Sequence, residues 1–345
     1  MNITLKQGDC LDLMRGIPDG SVDMVCADPP YFKVKKEQWD RQWDNPKIYL
    51  QWLDNVTKEW YRILKFNGSL YCFASPRMAA RVECLIAERF NVLNQIVWDK
   101  EQTNTGGFHR CAKKVALRHY NSATERIIFA EHYGADSMAK GEAGDQTKCD
   151  ELRGFVFEPL RAYLKTERDK SKWTNADAKI AVDHSPESGC HWFDKSQWTF
   201  PTEKIYQCWQ IKTGFFLRPY EELRREYEEL RRPFNVSAAV PYTDVWTFEP
   251  VTFYKGKHPC EKPQELLKHI IQSSTRENAV ILDCFMGTGS LGISCRNLKR
   301  NFIGYELDKE YFEIAQKRIY DASSEHCELS KALINKNNDG QLRLI

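Results

Sequence analysis

The fold is decided by the stretch AVILDCFMGTGS at positions 279–290. Its first four residues are apolar, as in a buried strand, and Asp283 ends that run. Gly287 and Gly289 then allow the chain to turn sharply and to approach a ligand closely, before a helical stretch that continues to about residue 298. The pattern predicts the strand, glycine-rich turn and helix of a nucleotide-binding α/β domain, although a plain tight turn would explain the two glycines alone.

The next strand strengthens the ligand-binding interpretation. It is predicted at 301–306, and Glu306 at its end lies 17 positions after Gly289 (306 − 289). An acidic side chain about 20 positions after such a loop is placed to accept hydrogen bonds from both hydroxyls of a ribose. Together the two features favour a cofactor of the adenosine type over a structural turn.

Short apolar runs alternate with amphipathic stretches over most of the chain, which indicates an α/β domain with a mostly parallel sheet. The interval 132–244 lacks this alternation, so we expect an insert there. We expect its tryptophans to form a satellite core, and its charged stretch at 221–232 to be a solvated helix with i,i+4 ion pairs. The predicted strands are 3–5, 22–27, 69–74, 92–98, 126–130, 279–283 and 301–306, and the predicted helices include 46–64, 77–89 and segments that begin near 263 and 309.

A second motif, Asp28-Pro29-Pro30-Tyr31, closes the predicted strand at 22–27. Two consecutive prolines cannot donate ladder hydrogen bonds, so the strand must end and present its last carboxylate at the carboxyl edge of the sheet, where ligands bind in open α/β folds. Asp28 and the Pro29 carbonyl can accept hydrogen bonds from a planar amine while Tyr31 stacks on its ring. The alternative is a strand-ending turn with a solvated aspartate, and the presence of the glycine loop favours the binding site.

With these motifs the sequence resembles the amino-DNA methyltransferases, which use S-adenosylmethionine to methylate adenine N6 or cytosine N4. The likeness spans residues 3–133 and 257–319. It rests on DPPY at 28–31, D-x-F-x-G-x-G at 283–289, G-x-E-x-D-x-x-Y at 304–311, and KHPCEKP at 257–263, which is similar to the family's H-P-T-E-K-P element. The motif order, with DPPY first and the glycine loop last, is similar to that of the permuted β group.

The resemblance implies a fold as well as an activity. The expected fold is α/β, of the class I (Rossmann-like) methyltransferase type, with a mostly parallel seven-stranded sheet and helices on both faces. It would be circularly permuted and would carry a target-recognition insert. We therefore expect a catalytic half at 1–131, the insert at 132–245, a cofactor-binding half at 246–322 and a C-terminal tail at 323–345.

The resemblance also implies roles for individual residues. Asp28, Pro29, Pro30 and Tyr31 would form the catalytic tetrad, and an aspartate rather than a serine at its first position favours adenine over cytosine. The family's chemistry implies direct methyl transfer to a base flipped out of double-stranded DNA. The cofactor S-adenosyl-L-methionine would be bound by Asp9, Lys257, His258, Pro259, Asp283, Phe285, Gly287, Gly289, Glu306 and Leu307. Candidate phosphate contacts are Lys33, Lys35, Lys36, Lys100, Arg110, Lys113 and Lys114.

Composition limits the partners. The 345 residues carry 50 Lys and Arg against 48 Asp and Glu, a net charge of +2, so DNA must be attracted by local patches. Twelve cysteines include no C-x-x-C pair, and the nearest metal-like set, His184, Cys190, His191 and Cys208, fits no zinc template, so we expect no metal. No apolar run reaches the roughly 18 residues that span a bilayer, so we expect a cytoplasmic, nucleoid-associated protein without a membrane partner.

Several alternatives remain open at this point. Cytosine-N4 methylation is the nearest, followed by methylation of RNA or of a protein amide, and by a non-catalytic DNA-binding module. The motif order and the long insert favour DNA as the substrate, and the intact acidic and glycine residues of both motifs favour catalysis. A homodimer and a cognate restriction endonuclease are compatible with the family, but neither can be inferred from the sequence.

Overall fold

The computed structural model describes residues 1–34, 36–100, 123–136, 145–182, 191–195, 197–236, 243–252 and 259–322. Six of the candidate residues lie outside these ranges: Lys35, Arg110, Lys113, Lys114, Lys257 and His258.

A single twisted sheet organises the described part of the chain. Its strands stand in the order β1-β8-β7-β2-β3-β5-β4-β6, and all neighbours are parallel except that β5 runs antiparallel to both β3 and β4. The strands are β1 (Ile3–Gln7), β2 (Val22–Ala27), β3 (Leu64–Ala74), β4 (Phe90–Asp99), β5 (Thr124–His132), β6 (Val245–Thr247), β7 (Val280–Asp283) and β8 (Asn301–Glu306). The mostly parallel α/β sheet expected from the sequence is confirmed.

The sheet has eight strands in the described residues, one more than the seven expected. The additional strand is β6, which pairs in parallel with β4 at the edge of the sheet. Only Trp246 of its three residues is buried. Three residues are too few for a period-2 pattern to be recognised, so this strand could not be predicted from the sequence.

Helices cover both faces of the sheet, as predicted. Successive residues of β2 point to opposite faces, so that Val25 packs in one apolar cluster and Met24 in the other. The helices of the sheet layer are α1 (Cys10–Met14), α2 (Pro46–Ile63), α3 (Ala79–Ala87), α9 (Gln264–Ser274), α10 (Ser290–Asn297) and the helix at 309–322, called α11 here. Side chains of α1, α2 and α3 belong to the first cluster, and side chains of α9, α10 and α11 belong to the second.

The long helix α2 shows how local sequence sets these elements. Asn45 caps it by accepting hydrogen bonds from the backbone N–H groups of Lys47 and Ile48, at 3.0 and 3.1 Å, and Pro46 occupies the first turn. Its buried residues follow a helical spacing: Tyr49, Leu53, Val56, Trp60 and Ile63. The helix therefore lies across the sheet with one apolar face inward, close to the predicted bounds of 46–64.

Between β5 and β6 the chain forms five helices in the described residues, around a third apolar cluster. They are α4 (Asp145–Leu152), α5 (Glu158–Lys170), α6 (Asn175–Ala181), α7 (Glu203–Thr213) and α8 (Tyr220–Leu230). Trp192, Trp198 and Trp209 are almost fully buried in this cluster, and Trp173 packs against it. The expectation that the tryptophans form a satellite core is confirmed.

Helix α8 is the charged helix predicted at 221–232. Arg218 pairs with Glu222, and Arg224 with Glu228, both at i,i+4 spacing, while only Leu223 of the helix is buried. No helix in the described ranges is long and apolar enough to cross a membrane. The same ranges hold no group of three metal-ligating side chains, and His184 and Cys190 of the metal-like set lie outside them.

Candidate active site

Acidic residues mark the carboxyl ends of four neighbouring strands. Asp9 follows β1, Asp28 follows β2, and Asp283 and Glu306 end β7 and β8. Because these strands are parallel and adjacent, their carboxyl ends meet at one edge of the sheet. A cleft of about 1200 Å³, including space open to solvent, lies at this edge and is lined by all four side chains. The strand order therefore joins two motifs from opposite ends of the sequence.

The glycine loop after β7 is held against β8. The N–H of Gly287 donates a hydrogen bond of 2.8 Å to Oε2 of Glu306. Gly287 and Gly289 both have positive φ, at 51° and 82°. Gly287 lines the cleft, but Gly289 does not: a Cβ there would lie 2.9 Å from Ile319 of α11. Gly287 thus provides the left-handed turn where the loop lines the cleft, whereas Gly289 lets the loop pack against the final helix.

Backbone N–H groups hold the two carboxyl groups on this side of the cleft. Glu306 accepts from Gly287 and, at 2.9 Å, from Asp308, and Asp283 accepts from Phe285 at 3.0 Å. Burial raises the pKa of Glu306, although these N–H donors partly offset it. Burial also raises the pKa of Asp283, to about 8. Both groups can therefore gain from a ligand that brings hydrogen-bond donors or positive charge.

Asp9 occupies the start of α1 as its N-cap. Its Oδ1 accepts from the N–H of Leu11 at 2.8 Å, so part of its carboxylate is used by the helix. The N–H of the preceding Gly8 donates to the carbonyl of Glu306 at 2.9 Å. The ends of β1 and β8 are thereby tied together on one wall of the cleft.

Asp28 stands on the opposite side of the cleft within an ion-pair network. Its Oδ2 accepts a hydrogen bond from Nζ of Lys262, and this ammonium lies 3.5 Å from Oε2 of Glu125. Glu125 in turn pairs with Lys100 through Oε1 and accepts a 2.9 Å hydrogen bond from the hydroxyl of Tyr31. The other oxygen of Asp28, Oδ1, is buried and accepts no hydrogen bond within the described residues. A buried acceptor without a donor is costly, and a donor from a substrate would relieve that cost.

Charge pairing sets the protonation of this network. Burial raises the pKa of Asp28, and Lys262 partly offsets the rise. Burial also opposes ionisation of Glu125, but Lys262 and Lys100 outweigh it and lower its pKa to about 2. Burial disfavours the charged form of Lys262, yet Asp28 and Glu125 outweigh that effect and hold its pKa above the usual value. Lys262 and Glu125 are therefore charged at neutral pH.

Tyr31 is buried beside Asp28 and lines the cleft. The two residues after it, Phe32 and Lys33, adopt left-handed backbone conformations with φ of 60° and 58°. These angles are uncommon outside glycine, so the chain turns away abruptly after the motif. Lys33 and Lys36 are exposed, and Nζ of Lys33 donates to the carbonyl of Asp44 at 2.7 Å. Of the candidate DNA contacts, only these two lysines and Lys100 lie in the described residues.

The structure brings most of the predicted site residues into one cleft. Its lining includes Asp9, Asp28, Pro29, Pro30, Tyr31, Asp283, Phe285, Gly287, Glu306 and Leu307. Pro259 and Gly289 do not line it, although the neighbours of Pro259 at 260–262 do. Lys257 and His258 lie outside the described residues.

Sequence reasoning missed Glu125, its pairing with Lys100, a candidate phosphate contact, and the contact of Lys262 with Asp28. Lys262 belongs to the KHPCEKP segment, but no local pattern indicated that its ammonium reaches a residue 234 positions earlier. The one available signal for Glu125 was the charged pair Glu125-Arg126 directly before the apolar run IIFA. Because β5 is antiparallel to β3, its first residues lie at the same edge of the sheet as the carboxyl ends of the parallel strands.

Comparison with protein families gives a match that spans most of the chain. The model of the N6_N4_Mtase family, described as DNA methylase, matches residues 22–317. The chain belongs to this family of DNA methylases. Its assignment to the amino-DNA methyltransferases from sequence motifs is therefore confirmed.

Individual DNA methylases show how far the likeness extends. The type II methyltransferase M2.DpnII of Streptococcus pneumoniae is 47% identical over 91% of this chain and 88% of its own length. The DNA adenine methyltransferase YhdJ of Escherichia coli is 25% identical over 98% of this chain and 90% of its own. The chain is thus similar to methyltransferases over nearly the full length of both proteins.

Solved structures of DNA methylases share the fold. The cytosine-N4-specific PvuII DNA methyltransferase aligns with a TM-score of 0.53 at 12% identity, over 93% of this chain and 91% of its own. The M1.HpyAVI structure, described as a complex with SAM, aligns with a TM-score of 0.50 at 20% identity, over 92% and 98%. The class I methyltransferase fold expected from the sequence is confirmed.

Proposed function

We propose that this DNA methylase transfers a methyl group from S-adenosylmethionine to the exocyclic N6 of an adenine flipped out of duplex DNA. The observation that carries the proposal concerns Asp28, which lines a ligand-sized cleft: Lys262 donates a hydrogen bond to one carboxylate oxygen, and the other oxygen is buried without a donor in the described residues. An exocyclic amine supplies the N–H donors that this oxygen lacks.

The side of the cleft around the glycine loop fits the proposed cofactor. Glu306 is a partly buried carboxylate with acceptor capacity left beyond its two backbone donors, as a ribose requires. Asp283 is a buried carboxyl group that an ammonium group would stabilise in its charged form. Gly287 leaves the space that a side chain would occupy. When bound, S-adenosylmethionine supplies an electrophilic methyl group, and M1.HpyAVI, a protein of the same fold, was solved as its complex.

The chain's own residues would activate the acceptor. The lone pair of an exocyclic amino nitrogen is delocalised into its ring, which makes the nitrogen a poor nucleophile. By accepting hydrogen bonds from the two amino hydrogens, Asp28 Oδ1 and the Pro29 carbonyl would favour a lone pair directed at the methyl group. Tyr31 would pack on the base and replace the stacking lost on flipping. The transfer is then direct and needs no covalent enzyme intermediate.

The buried cysteines support a direct transfer. Cys26, which lines the cleft, and Cys72 are both buried close to Asp28, and burial raises the pKa of both thiols. A thiol that stays protonated is a poor nucleophile, so neither suits the covalent attack that cytosine C5 methylation requires.

The choice of adenine rests on the aspartate that opens the motif and on relatives such as YhdJ, which is named as an adenine methyltransferase. Cytosine N4 is the alternative, because PvuII methyltransferase is cytosine-N4-specific and has the same fold. Both amines present two N–H donors, so the geometry of Asp28 suits either base.

Target recognition is proposed for the insert at 132–245, which packs around an apolar cluster of its own. The divisions at 131/132 and 245/246, the homodimer and the nucleoid-associated location remain predictions. The type II names of relatives such as M2.DpnII support a role beside a restriction endonuclease.

The test is to express the chain in a host without DNA methylation and to sequence its genome by a single-molecule method that reports modified bases. We expect N6-methyladenine at one defined sequence motif, and none when Asp28→Ala is expressed instead. N4-methylcytosine at a motif would overturn only the choice of base. An unmodified genome, with the protein soluble and expressed, would overturn the proposal and leave RNA or protein methylation, or DNA binding alone.

A further inference from the structure

Four charged side chains form a compact group beside the proposed acceptor site. Asp28, Glu125, Lys100 and Lys262 are each less than one-fifth exposed, and they are joined by the ion pairs described above. Two carboxylates and two ammonium groups give this group a net charge of zero. Because a buried charge is tolerated only when it is paired, removal of one member leaves the others uncompensated.

Lys262 is the member that joins the two carboxylates. Besides Asp28 and Glu125, its ammonium donates to the carbonyl of Cys260 at 3.2 Å, and it lies 5.3 Å from the ring centroid of Tyr31 and 4.8 Å from that of Phe73. The side chain therefore has polar partners and aromatic walls that keep it in one place. Its backbone immediately precedes α9, whose N-cap is Pro263, so the anchor is rigid as well.

We propose that Lys262 is a positioning residue for methyl transfer, which holds Oδ2 of Asp28 so that Oδ1 is presented to the target amine, and that Glu125 acts through Lys262. The inference rests on the proposed function, because it assigns how the acceptor carboxylate of that reaction is oriented. Neither residue is assigned contact with the reacting atoms.

The physical reason is that Asp28 must be both ionised and oriented. A protonated carboxyl group would present a hydroxyl where an acceptor is needed, and burial pushes Asp28 toward that form. The ammonium of Lys262 opposes the push and occupies one oxygen only, which leaves the second for the substrate. The carboxylate of Glu125 balances the buried positive charge of Lys262. It also accepts a hydrogen bond from the hydroxyl of Tyr31, so Asp28 and Tyr31 are held in place through the same network.

Other titratable groups near Asp28 come from the elements around it: Cys26, Cys72, Tyr31, Tyr49, Lys100 and Asp283. Burial raises the pKa values of the two thiols and the two phenols, which leaves them neutral through the physiological range. Lys100 faces Glu125, and burial lowers its pKa. Burial raises the pKa of Asp283 to about 8 and the charge of Lys262 partly offsets this rise, so the pH profile of Lys262→Met is compared with that of Lys262→Arg, which keeps the charge.

The first experiment replaces Lys262 by methionine, which keeps the length of the chain and removes the charge. The full-length protein, saturated with S-adenosylmethionine, is given unmethylated genomic DNA from the sequencing host, and the single-turnover methyl incorporation is followed from pH 6 to 10. We expect the rate constant at pH 7 to fall about 100-fold and the rising limb of the profile to move upward by about 2 pH units, the shift typical of losing a close opposite charge. Lys262→Arg should recover most of the rate.

Lys268→Met is the matched control, because Lys268 is a partly exposed lysine of α9 that pairs only with the exposed Glu265 in the described residues. It should leave both the rate and the profile unchanged. A Lys262→Met profile with the shape and position of the wild type would overturn the proposal, whether the rate is equal or uniformly lower. The thermal midpoint and the affinity for S-adenosylmethionine are measured for each variant to show that it is folded.

The second experiment tests whether Glu125 acts through Lys262. Glu125→Gln should lower the single-turnover rate about 10-fold, with Glu265→Gln as its surface control. In a protein that already carries Lys262→Met, Glu125→Gln should lower the single-turnover rate less than 3-fold, because substitutions of residues that act as one unit do not have additive effects. Full additivity would overturn the role given to Glu125. If Lys262→Met does not fold, Glu125→Gln decides, and a wild-type rate and pH profile in that variant would refute the proposal.

The activity of the wild type distinguishes a wrong role for Lys262 from a wrong proposed function. If the wild type binds S-adenosylmethionine and methylates the DNA, the proposed function stands, and the variants alone decide the role of Lys262. If the wild type methylates nothing, the proposed function fails first, and the positioning role falls with it.

Discussion

The two sides of the cleft hold their acidic groups by different means. On the Asp28 side, side-chain ammonium groups from Lys262 and Lys100 balance the carboxylates of Asp28 and Glu125. On the Asp283 side, the hydrogen bonds to Asp283 and Glu306 come from backbone N–H groups, and burial raises the pKa of both. The first side carries its own positive charge, and the second side is stabilised when a ligand supplies donors or charge.

This difference shows how one sheet edge can serve two partners. A carboxylate that must accept from a neutral amine has to be ionised before the substrate arrives, so a permanent cation beside it is useful. A carboxyl group that binds a cationic or hydroxyl-rich ligand needs no neighbouring cation before the ligand binds. Substitutions on the two sides should therefore separate methyl transfer from cofactor binding.

The largest effect is expected for Asp28→Ala, which removes the acceptor of the target amine. Methyl transfer should fall by about 1000-fold or more, the scale of losing a preorganised polar contact to the reacting group. The affinity for S-adenosylmethionine should stay within about 3-fold, because Asp28 belongs to the other side of the cleft. Radiolabelled methyl transfer and calorimetric titration measure the two quantities. Substantial turnover by the variant would show that the acceptor has been misassigned.

Gly287→Val should act on the cofactor side alone. A β-branched residue is strained at the φ of 51° found there, and its side chain would enter the cleft, so we expect the affinity for S-adenosylmethionine to fall about 100-fold. Gly20→Val is the matched control: Gly20 has a φ of 58°, but no atom lies within 4 Å of the added Cβ. Both variants carry the same backbone strain. If the two variants bind S-adenosylmethionine with equal affinity, the glycine loop does not belong to the cofactor site.

Glu306→Gln should have a moderate effect. It keeps the shape of the side chain but replaces a charged acceptor, so one of its hydrogen bonds to backbone N–H groups or to the ribose is lost. The expected result is an affinity for S-adenosylmethionine about 10-fold weaker, the value of one hydrogen bond to a charged group. Glu313→Gln on the exposed face of α11 is the control. A change in transfer rate at saturating cofactor, without a change in affinity, would contradict the assignment.

The smallest effect concerns the ligand-free protein and Asp283. Because the folded-state pKa of about 8 exceeds the ordinary 3.8, folding favours the protonated form, and the stability contributed by this proton is lost as the pH rises from about 4 to about 8. Asp283→Asn removes this dependence. Between pH 5 and pH 8, we expect the thermal midpoint of the wild type to fall by about 3 °C more than that of Asp283→Asn.

Differential scanning fluorimetry at constant ionic strength gives this comparison, with exposed Asp12→Asn as the control. Parallel curves for the wild type and Asp283→Asn would show that Asp283 is already compensated without a ligand, and the contrast between the two sides of the cleft would then disappear.

The sequence predicted the sheet layer and the cleft well, because their signals are local. Asn45 and Pro46 open α2 by known capping chemistry, and each acidic residue of the site directly follows or ends an apolar strand. Parallel neighbours place such strand ends at one edge, so strand assignment alone brought Asp28, Asp283 and Glu306 together.

The parts that could not be predicted depend on contacts between distant segments. The pairing of Lys262 with Glu125 joins positions 137 apart (262 − 125), and neither segment carries a pattern that points to the other. The helices α4 to α7 of the insert follow one another without a named strand between them in the described residues, so the strand and helix alternation that guides the prediction elsewhere is absent there. The three-residue strand β6 is formed by its pairing with β4 rather than by its own sequence.

The position of β7 beside β2 has a consequence for biosynthesis. The carboxylate of Asp23 in β2 accepts from the N–H of Val280, a residue made 257 positions later. At ribosomal speeds of 5–20 residues per second, roughly 13 to 50 s separate the two strands. During that time the edge of β2 that β7 will cover has no partner from β7, and an uncovered strand edge can pair with other chains. We therefore expect the nascent chain to need protection of this strand edge until β7 emerges, and the cleft cannot be complete before β7 and β8 have been made.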